Sequence, residues 1–265
     1  MDHWRLLKPE TADAYTNMAI DEAIMKARIE NRVPNTLRFY TWNPSAVSIG
    51  RFQTLADEIH VENCRKHGVD IVRRITGGGA VYHDSDGEIT YSIITKTKDL
   101  GCKDLDMLSA YQRICSGLNE AVKILGAEAD YHPPDPKRCP NLTISEKKIS
   151  GNAQSNKKGV LLQHGTFLLD IDHEKMFTFL RVPWAKTLND VLAVSKRKLT
   201  SARQELDSEF STEEAYQALV RGFEKALDVQ FVDGELTEYE QKLAEKIRKE
   251  RFVTEEWTFL GKASV

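Results

Sequence analysis

The chain contains no uninterrupted run of about 18 apolar residues, the length a membrane-crossing helix needs. Its first residues, Met1-Asp2-His3-Trp4-Arg5, lack the apolar stretch of a signal peptide, so a soluble, cytoplasmic protein is expected, with no membrane partner. It also lacks a basic excess: Lys and Arg total 37 against 40 Asp and Glu, a formal charge of −3. Proteins that hold nucleic acid by neutralising phosphates carry the opposite balance, so nucleic acid is not an expected partner. Only four cysteines occur in 265 residues, at positions 64, 102, 115 and 139, and no two form a C-x-x-C pair. They read as thiols, neither a disulfide framework nor a zinc site. Repeats and low-complexity linkers are absent too. What is present is 41% hydrophobic and 29% charged, enough apolar material for a sizeable core.

The periodicities are mixed. Asn17 is placed to cap a first helix whose Ile20, Ala23, Ile24 and Ala27 share a face. Residues 37–42 and 46–49 read as two strands of a hairpin turning at Asn43-Pro44. Between Asp104 and Leu125, Leu108, Tyr111, Cys115, Leu118, Val122 and Leu125 recur at helical spacing, and Gly126 supplies the stop. Cys115, on that stripe, reads as packing. Further strands are expected at 88–95, 141–146, 147–155 and 159–170. Ser211 with Glu214 and Thr237 with Glu240 form capping boxes opening two late helices, with Tyr216, Leu219, Val220, Phe223 and Leu227 inward on one and Leu236, Tyr239, Leu243 and Ile247 inward on the other. Strands gathered between 37 and 170, with helices beside them, predict an α+β fold around a mixed, largely antiparallel sheet.

Two segments carry chemistry. After the expected strand Asp70-Ile71-Val72 comes Arg73-Arg74-Ile75-Thr76-Gly77-Gly78-Gly79-Ala80-Val81-Tyr82-His83-Asp84. Three consecutive glycines weaken any helix or strand, so they imply unusual backbone or close approach to a ligand. With two arginines beside them they suit a phosphate or carboxylate. The pattern is neither G-x-x-x-x-G-K-[ST] nor G-x-G-x-x-G. The second segment is Lys147-Lys148-Ile149-Ser150-Gly151-Asn152-Ala153, followed by Gln163-His164-Gly165. A lysine among small residues has room to reach a ligand and to stabilise developing negative charge. Alternation sends Lys147 and Lys148 to opposite faces, and parity alone does not choose between them.

These residues, R-R-x-T-G-G-G-A-V-Y-H-D and K-K-I-x-G-x-A-x(4)-K-G-x-x-L-x-H-G, with N-M-A-x-D-E-A near the start, the segment Arg38–Gln53 and Thr254-Glu255-Glu256-Trp257, closely resemble the lipoate-protein ligase A family, related in fold to biotin-protein ligase. The resemblance covers nearly the whole chain and implies a single catalytic domain, 1–265, of the split type that lacks a C-terminal accessory domain. It implies ATP- and Mg²⁺-dependent activation of lipoate to lipoyl-adenylate, then transfer to a lysine of carrier domains: acyltransferase (E2) subunits of 2-oxoacid dehydrogenases and the glycine-cleavage H protein. A separate small accessory protein is an expected partner. Position by position, Arg74 matches the nucleotide-contacting arginine, Gly79, Ala80, Val81 and Tyr82 the loop holding the adenylate, and Lys148 the catalytic lysine. Gly77, Gly78, His83, Asp84 and His164 complete the expected nucleotide- and lipoate-binding set, with no metal ligand assigned. The acyl tail is expected between Val47, Ile49, Val72 and the Gly77–Gly79 loop.

The alternative within the superfamily is a cysteine-dependent octanoyltransferase acting from octanoyl-acyl carrier protein, which needs no ATP. Cys139, near Lys137 and Arg138, is a candidate nucleophile. That subfamily's cysteine, however, falls where this chain has Pro133, and its glycine loop reads G-G-R-G-V-L-H-D. The sequence therefore favours the ligase. A non-catalytic binding module is disfavoured by the joint presence of Arg74, the glycines and Lys148.

Overall fold

Strand-forming residues that are apolar on both faces build the centre of this protein. In the computed structural model, which describes residues 2–102, 106–133, 140–206 and 209–261, the strands in chain order are β1 (Asp2–Ala12), β2 (Thr36–Trp42), β3 (Ala46–Ile49), β4 (Asp70–Arg73), β5 (Val81–His83), β6 (Glu88–Lys96), β7 (Asp130–His132), β8 (Asn141–Ile144), β9 (Lys147–Lys157), β10 (Val160–Leu168) and β11 (Val229–Asp233). The α-helices are α1 (Ala14–Ile29), α2 (Leu55–Glu58), α3 (Val61–Lys66), α4 (Met107–Ile124), α5 (His173–Phe179), α6 (Leu188–Lys198), α7 (Ala202–Glu205), α8 (Thr212–Leu227), α9 (Glu238–Ile247) and α10 (Glu255–Thr258). Eight strands form one sheet in the order β11-β1-β2-β6-β10-β9-β8-β7, and β4-β3-β5 form a second. Pairing is antiparallel except for β1 with β11, β1 with β2, and β3 with β4, the mixed α+β arrangement expected from the sequence.

The two faces of β6 show how the layers are assigned. Ile89, Tyr91 and Ile93 pack with Phe39, Phe167, Leu118 and Phe223 beneath α4 and α8, whereas Ile94 packs against α1 with Ile20 and Ile24. Thr90 and Ser92, on this second face, are also buried. They lie under the site rather than under solvent.

Local expectations meet the structure unevenly. Both capping boxes form: Ser211 accepts from the Glu214 N–H and Thr237 from the Glu240 N–H. Glu240 also receives Arg5 as a buried ion pair. The first helix is capped by Asp13, not Asn17, because the Asp13 carboxylate accepts the Thr16 N–H one turn earlier. Asn17 instead donates to the carbonyls of Ala12 and Thr41, tying α1 to β2. Residues 37–42 and 46–49 do not form a hairpin. Both edges of β2 are taken by β1 and β6, so Asn43-Pro44 carries the chain across to the second sheet. On α4, Leu108 is 59% exposed, off the stripe predicted for it. Small residues set that buried face: a Cβ on Gly117 would lie 2.3 Å from the Phe223 ring, and one on Gly222 would lie 2.5 Å from the Gly117 carbonyl.

Candidate active site

The two sheets face each other across a cavity of about 330 Å³, at the small end of the range for ligand pockets. Tyr40 and Trp42 of β2, Thr90 of β6, and His164 and Thr166 of β10 line it from the large sheet. Ser48, Val81 and His83 line it from the small sheet, with Met18 of α1 and the Gly78-Gly79-Ala80 loop. Asn141, Lys148 and Gly151 complete the wall. Gly78 and Gly79 are exposed and Lys148 is half-buried, so the opening lies between the glycine loop and Lys148.

The aim of Lys148 follows from an irregularity in its strand. Ala153 and Gly151 line the cavity, and strict alternation from them would place Ile149, not Lys148, on that face. The β8–β9 register slips by one residue between Leu142, opposite Ser150, and Thr143, opposite Lys148. Such a bulge re-aims the residues beyond it. Ile149 therefore joins the core beneath α4, Lys148 faces the cavity, and Lys147 turns away to pair with Glu205 at 2.8 Å. The Lys148 carbonyl is fixed by the Thr200 N–H at 3.0 Å. Its ammonium lies over Gly151, where a Cβ would come within 2.8 Å of Nζ.

Beneath the cavity a hydrogen-bonded chain joins two carboxylates through one arginine. Asp21 can only accept, so His164 Nδ1 donates to it at 3.3 Å, and His164 Nε2 accepts from the Thr76 hydroxyl at 2.7 Å. Thr76 in turn accepts from Arg74 Nε at 3.3 Å. On the other side, His83 Nδ1 donates to Glu88 at 2.8 Å, Ser48 donates to His83 Nε2 at 2.7 Å, and Arg74 Nη1 donates to Ser48 at 2.8 Å. Arg74 Nη2 reaches the carbonyls of Gly77 and Gly79 at 2.8 and 2.9 Å. The guanidinium thus staples the glycine loop to the sheet from below. Burial raises the Asp21 carboxyl, but the bonds from His164 and Ser92 and the charge of Arg38 more than offset this and hold it below the usual carboxylate value. Burial pushes His164 down, only partly opposed by Asp21. The stable state is an ionised Asp21 beside a neutral His164.

The residues expected at the site divide in two. Arg74, Gly78, Gly79, Ala80, Val81, His83, Lys148 and His164 converge on the cavity. Tyr82 and Asp84 lie on the opposite side of β5: the Tyr82 ring stacks on Phe179 at 5.2 Å, and Asp84 pairs with Lys175 at 2.7 Å. Gly77 contributes its carbonyl to Arg74. Val47, Ile49 and Val72, expected around the acyl tail, belong to the packed cores. The large sheet supplies the floor in their place. The expected set left out Asp21, Ser48, Thr76, Glu88 and Asn141. Asp21, Ser48 and Thr76 nonetheless stood within the segments that carry the resemblance, whereas Glu88 and Asn141 had no such signal.

None of the described cysteines lines the cavity. Cys64 and Cys115 are buried, their thiols pushed up by burial to about 11 and about 12, and Cys102 is half-buried at the end of a 3₁₀ turn with its thiol also raised by burial. Cys139 lies outside the described residues. It precedes Asn141, a wall residue, by two positions in the sequence.

Residues 13–224 match the family model described as the lipoyl protein ligase A/B catalytic domain. The chain belongs to this family. Its curated relatives include Octanoyltransferase LipM of Brevibacillus brevis, 35% identical over 275 residues and covering 97% of this chain and 99% of that one. Octanoyltransferase LipM of Clostridioides difficile is 36% identical, covering 97% and 98%. Among solved structures, a bi-partite lipoate protein ligase from Thermoplasma acidophilum superposes with a TM-score of 0.86 at 28% identity, covering 100% and 99% of the two chains. The lipoyl ligase fold is thereby shown, and the expected activity is corrected. The full-length octanoyltransferase relatives overturn the reading as an ATP-dependent ligase, and with it ATP and Mg²⁺ as cofactors and the lipoyl-adenylate intermediate. The reason lies in what the motifs do. A glycine loop and a lysine at an acyl cavity can serve an acyl group however it was activated, so their ligase-like wording did not discriminate between the two chemistries.

Proposed function

We propose that the chain transfers an octanoyl group from the thioester of an acyl-carrier protein to the acceptor lysine of a lipoyl carrier domain. The observation that carries this reading is the end-to-end similarity to octanoyltransferases LipM. The small cavity with Lys148 at its opening supports it. Lipoyl domains of 2-oxoacid dehydrogenase E2 subunits and the H protein are the proposed acceptors. The accessory protein expected for adenylation has no step to serve here.

Cys139 is the proposed nucleophile. The other three thiols are off the cavity, and Cys139 stands two positions before the wall residue Asn141 in the sequence. Its thiolate attacks the donor carbonyl; the donor C–S bond breaks and the carrier leaves as a thiolate that takes up a proton. The neutral ε-amine of the acceptor then attacks the Cys139 thioester. An amide forms, the Cys139 thiolate departs, and the proton shed by the amine restores the thiol. In both steps Lys148 stabilises the negative charge gathered on the carbonyl oxygen.

The test is incubation with octanoyl-acyl carrier protein and an apo lipoyl domain without ATP, read by intact mass. The expected result is one octanoyl group on the acceptor, and, with the acceptor omitted, one on the enzyme that Cys139→Ala abolishes. Transfer that persists in Cys139→Ala removes the covalent step, and absence of transfer from wild type removes the function.

A further inference from the structure

Two features flank the opening of the cavity and are used by neither the fold nor the chemistry above. On the glycine-loop side stands Phe52, 89% exposed. Its turn is held rigidly. Buried Arg73 donates to the carbonyls of Gly50, Arg51 and Gln53 at 3.2, 3.3 and 2.7 Å, and the Gly50 N–H is closed by the Gln53 side chain at 2.8 Å. Gly50 presses on the glycine loop so closely that a Cβ there would meet the Gly78 carbonyl at 2.1 Å. A built turn next to the glycine loop thus displays an aromatic ring in water, with the guanidinium of neighbouring Arg51 5.8 Å from its centroid.

On the Lys148 side, α6 ends in Lys196, Arg197 and Lys198, all exposed. No carboxylate among the described residues lies within ion-pair distance of them. Leu199, the next residue, forms a parallel bridge with Lys148, so the basic turn abuts the strand that carries the lysine. A helix C-terminus is stabilised by nearby cations. However, successive residues are about 100° apart around the axis, so three in a row fan outward rather than converge on the last carbonyls. In a chain of net charge −3 this is a local reversal of sign.

We propose that Phe52 and the 196–198 turn are the two lips of a docking surface for the lipoyl carrier domain, resting on the transferase reading for the identity of that partner. The occupant is specified by complementarity: a small domain with carboxylates beside its acceptor lysine and an apolar patch across from them. The cations steer encounter, since charges at an interface rim act mainly on association rate. Phe52 supplies an aromatic anchor that slows release. Phe52 lies two residues from Gly50, which presses on the glycine loop, and the basic turn precedes Leu199, which bridges Lys148, so each adjoins one of the two elements that bound the opening.

The experiment compares wild type, Phe52→Ala and the triple variant Lys196→Glu, Arg197→Glu, Lys198→Glu in octanoyl transfer to an apo lipoyl domain over a salt series. Loading of the same enzymes from octanoyl-CoA, a donor without a protein surface, is measured in parallel. Each variant is expected to raise KM for the domain by about tenfold or more, the triple variant also losing the salt dependence, with loading from octanoyl-CoA unchanged. Unchanged KM for the domain overturns the docking surface, and so does an equal loss in both reactions. Failure of wild type to load or transfer at all is a distinct result that overturns the transferase reading and the docking surface together.

Discussion

Gly151→Ala isolates the position of the Lys148 ammonium from its presence. Gly151 has no left-handed backbone requirement, so alanine is conformationally allowed, and its added Cβ would meet only Lys148 Nζ at 2.8 Å and Cε at 3.0 Å. Ordinary contact begins at 3.4 Å and extends to 4 Å. The ammonium must therefore retreat by about 0.6–1.2 Å, which the far end of a flexible side chain does at little cost to the fold. A misplacement of about 1 Å at a reacting centre costs about 100-fold, or roughly 2.7 kcal/mol of barrier. The expected variant is well folded, melts within about 2 °C of wild type, and transfers octanoate about 100-fold more slowly in single-turnover mass measurements. A rate within threefold of wild type would refute the reasoning, because the lysine would then work from a displaced position.

Lys148→Ala is expected to lose the donor altogether, a drop of about 10²–10³ in rate with an unchanged melting profile; circular dichroism and the same transfer assay check both halves. Gly222→Ala should act on the fold instead. Its Cβ would stand 2.5 Å from the Gly117 carbonyl and 2.6 Å from the Ala121 nitrogen, so α4 and α8 must part, at a cost of about 1–3 kcal/mol or more in urea unfolding. Acid should loosen the site through His164. Its folded value lies below the ordinary one of about 6.5, so the unfolded chain takes up the proton first; the linked stability is present above about pH 6.5 and is lost as pH falls below it. His60 and His173, also lowered by burial, act in the same sense. The His164 share is the part of the fall in melting temperature between pH 7 and 5.5 that His164→Gln flattens.

Capping boxes, β6 and the turn-bounded strands β8 to β10 were legible because each is decided by residues close in sequence. The Asn43-Pro44 segment was not, since whether β2 and β3 pair depends on β1 and β6 occupying the edges of β2. Leu108 misled for a related reason: small residues contributed by Gly117, Ala121 and Gly222 fixed which side of α4 could approach α8. Arg74, His83, Lys148 and His164, singled out from motifs, do line the cavity, but their partners Asp21 and Glu88 are brought in by the fold from α1 and β6. The choice of chemistry failed for a different cause. The motifs are shared by both activities and so did not separate them, and Cys139, weighed as a nucleophile, was set aside because the transferases' cysteine falls where this chain has Pro133.

The one-residue slip in β9 has a consequence for how this stretch can change. Because Ile149 and Lys148 exchange faces across it, the segment between Asn141 and Gly151 encodes the aim of Lys148 into the cavity and the core packing of Ile149 in a single count of residues. Loss or gain of one residue there would send the ammonium beneath α4 and the isoleucine into the cavity, a buried charge and a core void created together. Insertions in this hairpin are therefore confined to the Ser145-Glu146 turn, whose two left-handed residues lie outside the paired register. Length variation among functional descendants of this chain should collect at that turn and avoid the five positions after it.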